Sequence, residues 1–121
     1  MDAPMIGIDL VETSRISSKL EKSVVDDLFH PGEIAYARSQ SDPAQSLAGR
    51  YAAKEAIIKA LGIDGWDPLE VEIVGGGEET AVQLHGAVGE RADELGVNVT
   101  ISMTHLTAIA GAVALARPRG D

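Results

Sequence analysis

The chain has 121 residues, of which 45% are hydrophobic and 24% charged, a length and balance that predict one globular domain over residues 1–121. It contains no cysteine, which excludes disulfides and a thiolate nucleophile, and its net charge of −9 with only 3% aromatic residues argues against nucleic acid as a partner. No apolar run reaches membrane-spanning length and no signal pattern opens the chain, so we expect a cytoplasmic protein with no membrane partner.

The N-terminal segment predicts a strand followed by a helix. Residues 5–11 form a short β-branched run typical of a strand, and Asp9 interrupts it with a carboxylate that needs a partner if it is buried. Thr13 or Ser14 can cap the next helix. One face of that helix carries three basic residues, Arg15, Lys19 and Lys22. In an acidic chain this face could dock an acidic partner, although such a pattern more often marks a solvated helix surface.

Two further helices are expected before the middle of the chain. After the break at residues 30–32, residues 33–39 predict a short helix. Asp42 and Pro43 combine an N-cap acid with a proline at the first helical position, which predicts the start of the longest helix, and Gly62 predicts its end. The apolar stripe of this helix consists of Leu47, Tyr51, Ile58 and Leu61.

The second half of the chain predicts a hairpin, a helix and a final strand pair. In order, these are strands over 69–74 and 81–84 around the glycines 75–77, a helix over 86–95, and strands over 97–103 and 107–116, followed by a frayed tail at 117–119. This order of elements predicts an α+β fold, in which an antiparallel sheet packs with one long and several short helices.

Glu55 lies on the apolar side of the longest helix, roughly 40° from Tyr51 and roughly 60° from Ile58, and Lys59 follows one turn later. A carboxylate on a buried face is costly unless it is paired or binds a metal. One interpretation is structural, with a Glu55–Lys59 pair within the helix and Asp9 capping a backbone group. The other is a Mg²⁺ site formed by Asp9 and Glu55, with Lys59 neutralising a substrate phosphate.

The histidines and the glycine run give weaker signals. His105 follows two hydroxyl residues at the end of a strand, where a phosphate could bind, whereas a lone histidine is more often structural. His30 and His85 show no partner and are interpreted as loop residues. The glycines 75–77 lack the lysine and hydroxyl of a phosphate-binding loop and are interpreted as a hairpin turn.

Several segments of the chain, in their order and spacing, resemble the holo-acyl-carrier-protein synthases, the small group of 4′-phosphopantetheinyl transferases. They are residues 7–12 with Arg15 and Ile16, residues 29–34, residues 47–62, and the stretch Ser102-Met103-Thr104-His105 with the apolar strand after it. The resemblance implies the 4′-phosphopantetheinyl transferase fold. It also implies an enzyme of fatty acid biosynthesis that transfers 4′-phosphopantetheine from coenzyme A to a serine of an apo acyl carrier protein, releasing adenosine 3′,5′-bisphosphate.

The same resemblance implies roles for particular residues. Asp9 and Glu55 match the Mg²⁺ ligands, and Lys59 matches a lysine that contacts the phosphates, so these residues form the catalytic set. The coenzyme-binding positions are Arg50, Lys59, Thr104 and His105, and the carrier-docking helix carries Arg15, Lys19 and Lys22.

The expected cofactor is therefore Mg²⁺, the partners are coenzyme A and an acyl carrier protein, and the assembly is a homotrimer with a cleft at each subunit interface. The proton acceptor stays open among Asp9, Glu55 and a bound water. A coenzyme A-binding module without transfer activity is the alternative function.

Overall fold

The computed structural model describes residues 5–21 and 24–120, and it confirms the predicted α+β fold. Two short 3₁₀ turns, Val25–Asp27 and Pro68–Glu70, join the main elements. In chain order the elements are β1 (Met5–Glu12), α1 (Thr13–Glu21), α2 (Pro31–Arg38), α3 (Pro43–Leu61), β2 (Val71–Gly76), β3 (Glu79–Leu84), α4 (Gly86–Leu95), β4 (Val97–His105) and β5 (Ile109–Pro118).

The strands form two antiparallel sheets. β5 lies between β1 and β4 in a three-stranded sheet, and β2 pairs with β3 in a separate hairpin. The prediction of a frayed tail is wrong, because β5 continues to Pro118 and Arg117 pairs with Asn98. Beyond the strand, the Arg119 amide donates to the Gly96 carbonyl at 2.8 Å and its guanidinium donates to Asp93 at 2.8 Å.

The inner face of the three-stranded sheet is lined by small side chains. Every second residue of β5 from Ala110 to Ala116 is an alanine that is at most 4% exposed. Gly7 of β1 faces α3 so closely that an added Cβ would lie 2.0 Å from the Ala56 carbonyl oxygen. These small residues let the helix approach the sheet closely, as dense core packing requires.

The long helix α3 crosses this face and is buried on most of its sides. Its predicted ends are confirmed: the Asp42 side chain accepts from the Gln45 amide at 3.2 Å, and Gly62 closes the helix with φ 66°. The core around α3 consists chiefly of alanine, valine, isoleucine and leucine, together with Phe29.

A buried ion cluster attaches α3 to α2 and to the hairpin. Lys54 is fully buried and donates to Glu33 at 2.9 Å and to the carbonyls of Pro68 and Val71. Glu33 also accepts from the Ile73 amide at 3.3 Å. Burial lowers the pKa of Lys54, and the neighbouring Glu33 carboxylate opposes this shift. The cluster therefore fixes the position of the hairpin relative to α3.

The outer face of the three-stranded sheet is apolar and exposed. Ile6, Ile8 and Leu10 of β1 are 69%, 64% and 65% exposed, and Val113, paired with Ile8, is 37% exposed. An apolar patch of this kind on one face commonly marks an interaction surface. Among the residues that the structure describes, no helix is both long and apolar enough to span a membrane.

Candidate active site

The contact between β1 and α3 places acidic and basic side chains together. Asp9 follows Gly7 by two residues, so strand alternation directs its side chain to the same inner face, opposite Ala112. The Asp9 side chain is only 9% exposed. The close approach at Gly7 thus brings a nearly buried carboxylate against the C-terminal half of α3.

Lys59 reaches from α3 to β1. Its ammonium group donates to Asp9 Oδ1 at 2.9 Å and to the Ile8 carbonyl at 3.1 Å, while its side chain is 57% exposed. The hydrogen bond to Asp9 raises the pKa of Lys59, with the negative charge of Asp9 acting in the same direction. Lys59 is therefore a fixed positive charge at the edge of the site and is accessible to a solvent-borne anion.

Glu55 lies beside Asp9 and responds to the neighbouring carboxyl group. Burial raises the pKa of Glu55, and the neighbouring Asp9 carboxyl raises it further. A hydrogen bond with Tyr51 opposes this shift, and burial followed by the Glu55 charge raises the pKa of the Tyr51 hydroxyl. The raised pKa of Glu55 thus expresses first the cost of burying its charge and then the cost of placing it beside a second carboxyl group.

The structural interpretation of Glu55 is not what the structure shows. Lys59 pairs with Asp9 across the β1–α3 contact rather than with Glu55 within the helix, and Asp9 Oδ1 is held by Lys59 rather than by a backbone amide. The second oxygen, Asp9 Oδ2, is buried and has no hydrogen-bond partner in the described part of the chain. An unpartnered carboxylate oxygen beside a second carboxylate is a donor set that suits a hard divalent cation.

Arg50 and His105 line a separate cleft of ≈ 230 Å³ between α3, the hairpin and the end of β4. The Arg50 guanidinium is buried, donates to the carbonyls of Ile73 and Gly75, and lies 4.8 Å from the centre of the Tyr36 ring. Burial lowers its pKa, and Glu33 opposes the shift. Nδ1 of the exposed His105 is hydrogen-bonded to the Gln45 side-chain oxygen. These contacts hold Arg50 against the hairpin and His105 against the start of α3.

The structure does not bring all predicted site residues together within one chain. Arg50 and Glu55 are five positions apart on α3, so their side chains leave the helix roughly 140° apart. Thr104 pairs with Gly111, which also pairs with Leu10. These three residues lie on the outer face of the sheet, whereas the Asp9 side chain lies on the inner face. The acidic group, which consists of Asp9 and Glu55 with Lys59 beside it, and the cleft lined by Arg50 and His105 are thus on two separate surfaces of the chain.

The predicted docking helix lies beside the acidic group. Arg15 on α1 is exposed, and its charge lowers the pKa of both Glu55 and Tyr51, although other influences dominate both shifts. Lys19 is half-buried on the same helix. Lys22, the third predicted docking residue, lies outside the described residues. The described part of the basic face therefore begins next to the site of the two carboxylates.

The sequence interpretation missed the importance of Lys54. The positions 47, 51, 54, 58 and 61 alternate spacings of four and three, so Lys54 completes the apolar stripe of α3. That spacing was the signal that Lys54 is buried. Its partner Glu33, 21 residues away, has no comparable signal in the sequence.

A long helix packed across a small antiparallel sheet, with two carboxylates and a lysine at their contact, defines a compact α+β protein suited to binding a cation and an anion together. The model of the 4′-phosphopantetheinyl transferase superfamily (ACPS) matches residues 5–108, and the chain belongs to this family. The family named by the resemblance is therefore confirmed, together with the fold that it implied.

Individual relatives and solved structures support the same family. A holo-[acyl-carrier-protein] synthase of Moorella thermoacetica is 40% identical over 116 residues, which cover 90% of this chain and 90% of that protein. The ACPS–CoA complex of Chronobacterium ammoniagenes matches with a TM-score of 0.84 and 30% identity, covering 98% of this chain and 100% of that chain. Helicobacter pylori holo-[acyl-carrier-protein] synthase in complex with coenzyme A matches with a TM-score of 0.77 and 26% identity, covering 93% and 100%.

Proposed function

We propose that this chain is a holo-acyl-carrier-protein synthase, which transfers 4′-phosphopantetheine from coenzyme A to a serine of an apo acyl carrier protein in fatty acid biosynthesis. The observation that carries the proposal is the meeting of Asp9, Glu55 and Lys59 at the β1–α3 contact. The names of its relatives and the coenzyme A bound in two similar structures support the same substrate pair.

The reaction exchanges one P–O bond for another. The serine hydroxyl gives its proton to an acceptor that stays open among Asp9, Glu55 and a bound water. Its oxygen bonds to the phosphorus that carries the pantetheine arm, and the bond from that phosphorus to the adenosine 3′,5′-bisphosphate breaks. Charge on the diphosphate repels the incoming oxygen and grows on the leaving group, so catalysis requires positive charge fixed around the phosphates.

The donor set at Asp9 and Glu55 fits Mg²⁺, because Asp9 Oδ2 is buried without a partner and Glu55 lies beside it. Asp9 and Glu55 would hold the ion, which would supply positive charge to the diphosphate oxygens. Lys59 adds a second, permanent positive charge, since the bond to Asp9 raises its pKa and its side chain is half-exposed. Lys59 can thus bind a phosphate oxygen and stabilise the leaving bisphosphate.

The separation of Arg50, Thr104 and His105 from Lys59 within one chain favours a coenzyme site built from more than one copy. Arg50 and His105 line a cleft that opens on a different side from Lys59, and Thr104 lies on the outer face. We propose that copies associate through the outer face around Ile6, Ile8 and Leu10 as a homotrimer, so that the cleft of one copy adjoins the acidic group of its neighbour.

The activity is tested by incubating the protein with coenzyme A, Mg²⁺ and several purified apo acyl carrier proteins. Mass spectrometry should show a carrier that has gained the phosphopantetheine arm, and a chelator should abolish the gain. If no carrier is modified while calorimetry still detects coenzyme A binding, the alternative of a coenzyme A-binding module without transfer activity replaces the enzyme.

A further inference from the structure

His30, Glu72 and His85 come together outside the group formed by Asp9, Glu55 and Lys59. His30 precedes α2, Glu72 lies on β2, and His85 lies between β3 and α4. One potential ligand atom from each residue lies within 4.8 Å of the other two. The sequence offered no partner for either histidine, and the proposed transfer reaction uses neither.

A hydrogen bond to the backbone orients His30 for metal binding. His30 Nε2 lies 2.7 Å from the Leu69 carbonyl oxygen, which can only accept, so Nε2 carries the hydrogen and the lone pair of the neutral ring is on Nδ1. A carbonyl that fixes the second ring nitrogen in this way is the usual support of a metal-binding histidine. Glu72 Oε1 lies 3.8 Å from His30 Nδ1 and accepts a hydrogen bond from His85 Nε2 at 2.9 Å, and a bound cation would replace that hydrogen.

The spacing and chemistry of the three groups suit zinc. Tetrahedral bonds of about 2.0–2.2 Å place neighbouring donors about 3.3–3.5 Å apart, and the two measured separations, 3.8 and 2.9 Å, lie on either side of this range. Two imidazoles and a carboxylate form a known zinc ligand set with a fourth position for water. Mg²⁺ prefers oxygen ligands, so it should favour the pair of carboxylates over this cluster.

We propose that His30, Glu72 and His85 bind a Zn²⁺ ion at a site separate from Asp9 and Glu55. The ion would join the start of α2, strand β2 and the start of α4. Glu72 precedes Ile73, whose carbonyl accepts a hydrogen bond from Arg50. The bound ion would therefore also stabilise the strand that positions Arg50. The competing explanation is an ion pair between Glu72 and a protonated imidazole, which needs no metal.

The test uses Co²⁺ as a spectroscopic substitute for Zn²⁺ at pH 7.5, where an ordinary imidazole is mostly neutral, with excess Mg²⁺ present to occupy oxygen-only sites. The full-length wild-type protein should develop the visible absorption bands of tetrahedral Co²⁺ with one equivalent, and Zn²⁺ should remove them. His85→Ala and Glu72→Gln should each weaken binding by more than about 100-fold, beyond the usual effect of losing an outer-shell partner. His105→Ala, at the remaining histidine, is the matched control and should keep the bands.

Thermal unfolding provides a second readout. Zn²⁺ should raise the melting temperature of the wild type and of His105→Ala but not of His85→Ala, because a ligand stabilises only a fold that it binds. His85 is exposed, and its side chain contacts Glu72 and the His30 ring, so circular dichroism should show the variant folded. The proposal fails if the wild type shows neither bands nor a zinc-dependent shift, or if His85→Ala and Glu72→Gln bind as the wild type does.

Discussion

The two carboxylate oxygens of Asp9 have different surroundings. Oδ1 is held by Lys59 at 2.9 Å, whereas Oδ2 is buried beside Glu55 without a hydrogen-bond partner in the described part of the chain. Lys59 thus orients Asp9 while the second oxygen stays free for a cation. The arrangement costs stability, because two carboxyl groups share a partly buried space, and this cost is expected where a site is shaped for binding.

Removing one of these carboxylates should impair activity far more than folding. We expect Asp9→Asn and Glu55→Gln each to lower kcat/KM by at least about 100-fold, since each removes charge that stabilises the transition state through the metal. The melting temperature of Glu55→Gln without Mg²⁺ should stay equal or rise, because the repulsion between the carboxyl groups is relieved, whereas Asp9→Asn also loses its ion pair with Lys59. Glu90→Gln on α4, an exposed carboxylate, is the control and should keep full activity. A wild-type rate in either site variant would contradict the metal assignment.

Substitutions in the buried cluster of Glu33 and Lys54 should reduce stability, because these charges stabilise the fold. We expect Glu33→Gln to destabilise the protein by about 3–5 kcal/mol, since it leaves the buried Lys54 ammonium without its countercharge. Lys54→Met should cost less stability, because Glu33 still accepts hydrogen bonds from the backbone amides of His30 and Ile73 and still lies near the Arg50 guanidinium. Denaturant unfolding measures both free energies, and a smaller loss for Glu33→Gln than for Lys54→Met would refute this ordering.

At the scale of elements, the contact between β1 and α3 decides whether the site forms. Gly7→Ala should destabilise the protein and reduce activity together, because the new Cβ would lie 2.0 Å from the Ala56 carbonyl oxygen and must push the strand away from the helix. Gly32→Ala is the matched control, because nothing lies within 4 Å of its added Cβ and alanine is a good helix former in α2. Equal melting temperatures for the two variants would show that the close approach is unimportant.

Helix α1 is the element expected to meet the carrier. Acyl carrier proteins are acidic, so reversing Arg15 to Glu should raise the KM for the carrier by about tenfold or more with little change in the KM for coenzyme A, and added salt should reduce the difference. Arg38→Glu on α2 reverses an exposed charge elsewhere and should leave both KM values unchanged. If Arg15→Glu raised both KM values equally, Arg15 would act on the shared site rather than on the carrier.

At the scale of the whole molecule, the exposed face of the sheet should control both assembly and activity. Ile8→Asp places a charge in this apolar face and should convert the proposed trimer to monomers, with loss of transfer activity at dilute protein. Ala87→Asp adds the same charge at an exposed position of α4 and should preserve the trimer. Sedimentation equilibrium measures the mass of each variant. A monomeric wild type with full activity would contradict the shared-site proposal.

The amino-acid sequence by itself determined what depends on neighbouring residues. Asp42, Pro43 and Gly62 set the ends of α3, because capping and positive φ are properties of a few consecutive residues. Strand alternation and the turn glycines likewise predicted the hairpin. The motif around Asp9 and the segment with Glu55 and Lys59 named the family, since these residues stand at characteristic positions along the chain.

Only the tertiary structure decided which distant groups meet. Lys59 pairs with Asp9 at a separation of 50 residues rather than with Glu55 one turn away, because the close packing at Gly7 places β1 within its reach. Lys54 with Glu33, and His30 with Glu72 and His85, likewise join segments that helical or strand periodicity cannot relate to one another. Such pairings depend on how elements pack against each other, and that packing follows from the shape of the whole core rather than from any local pattern.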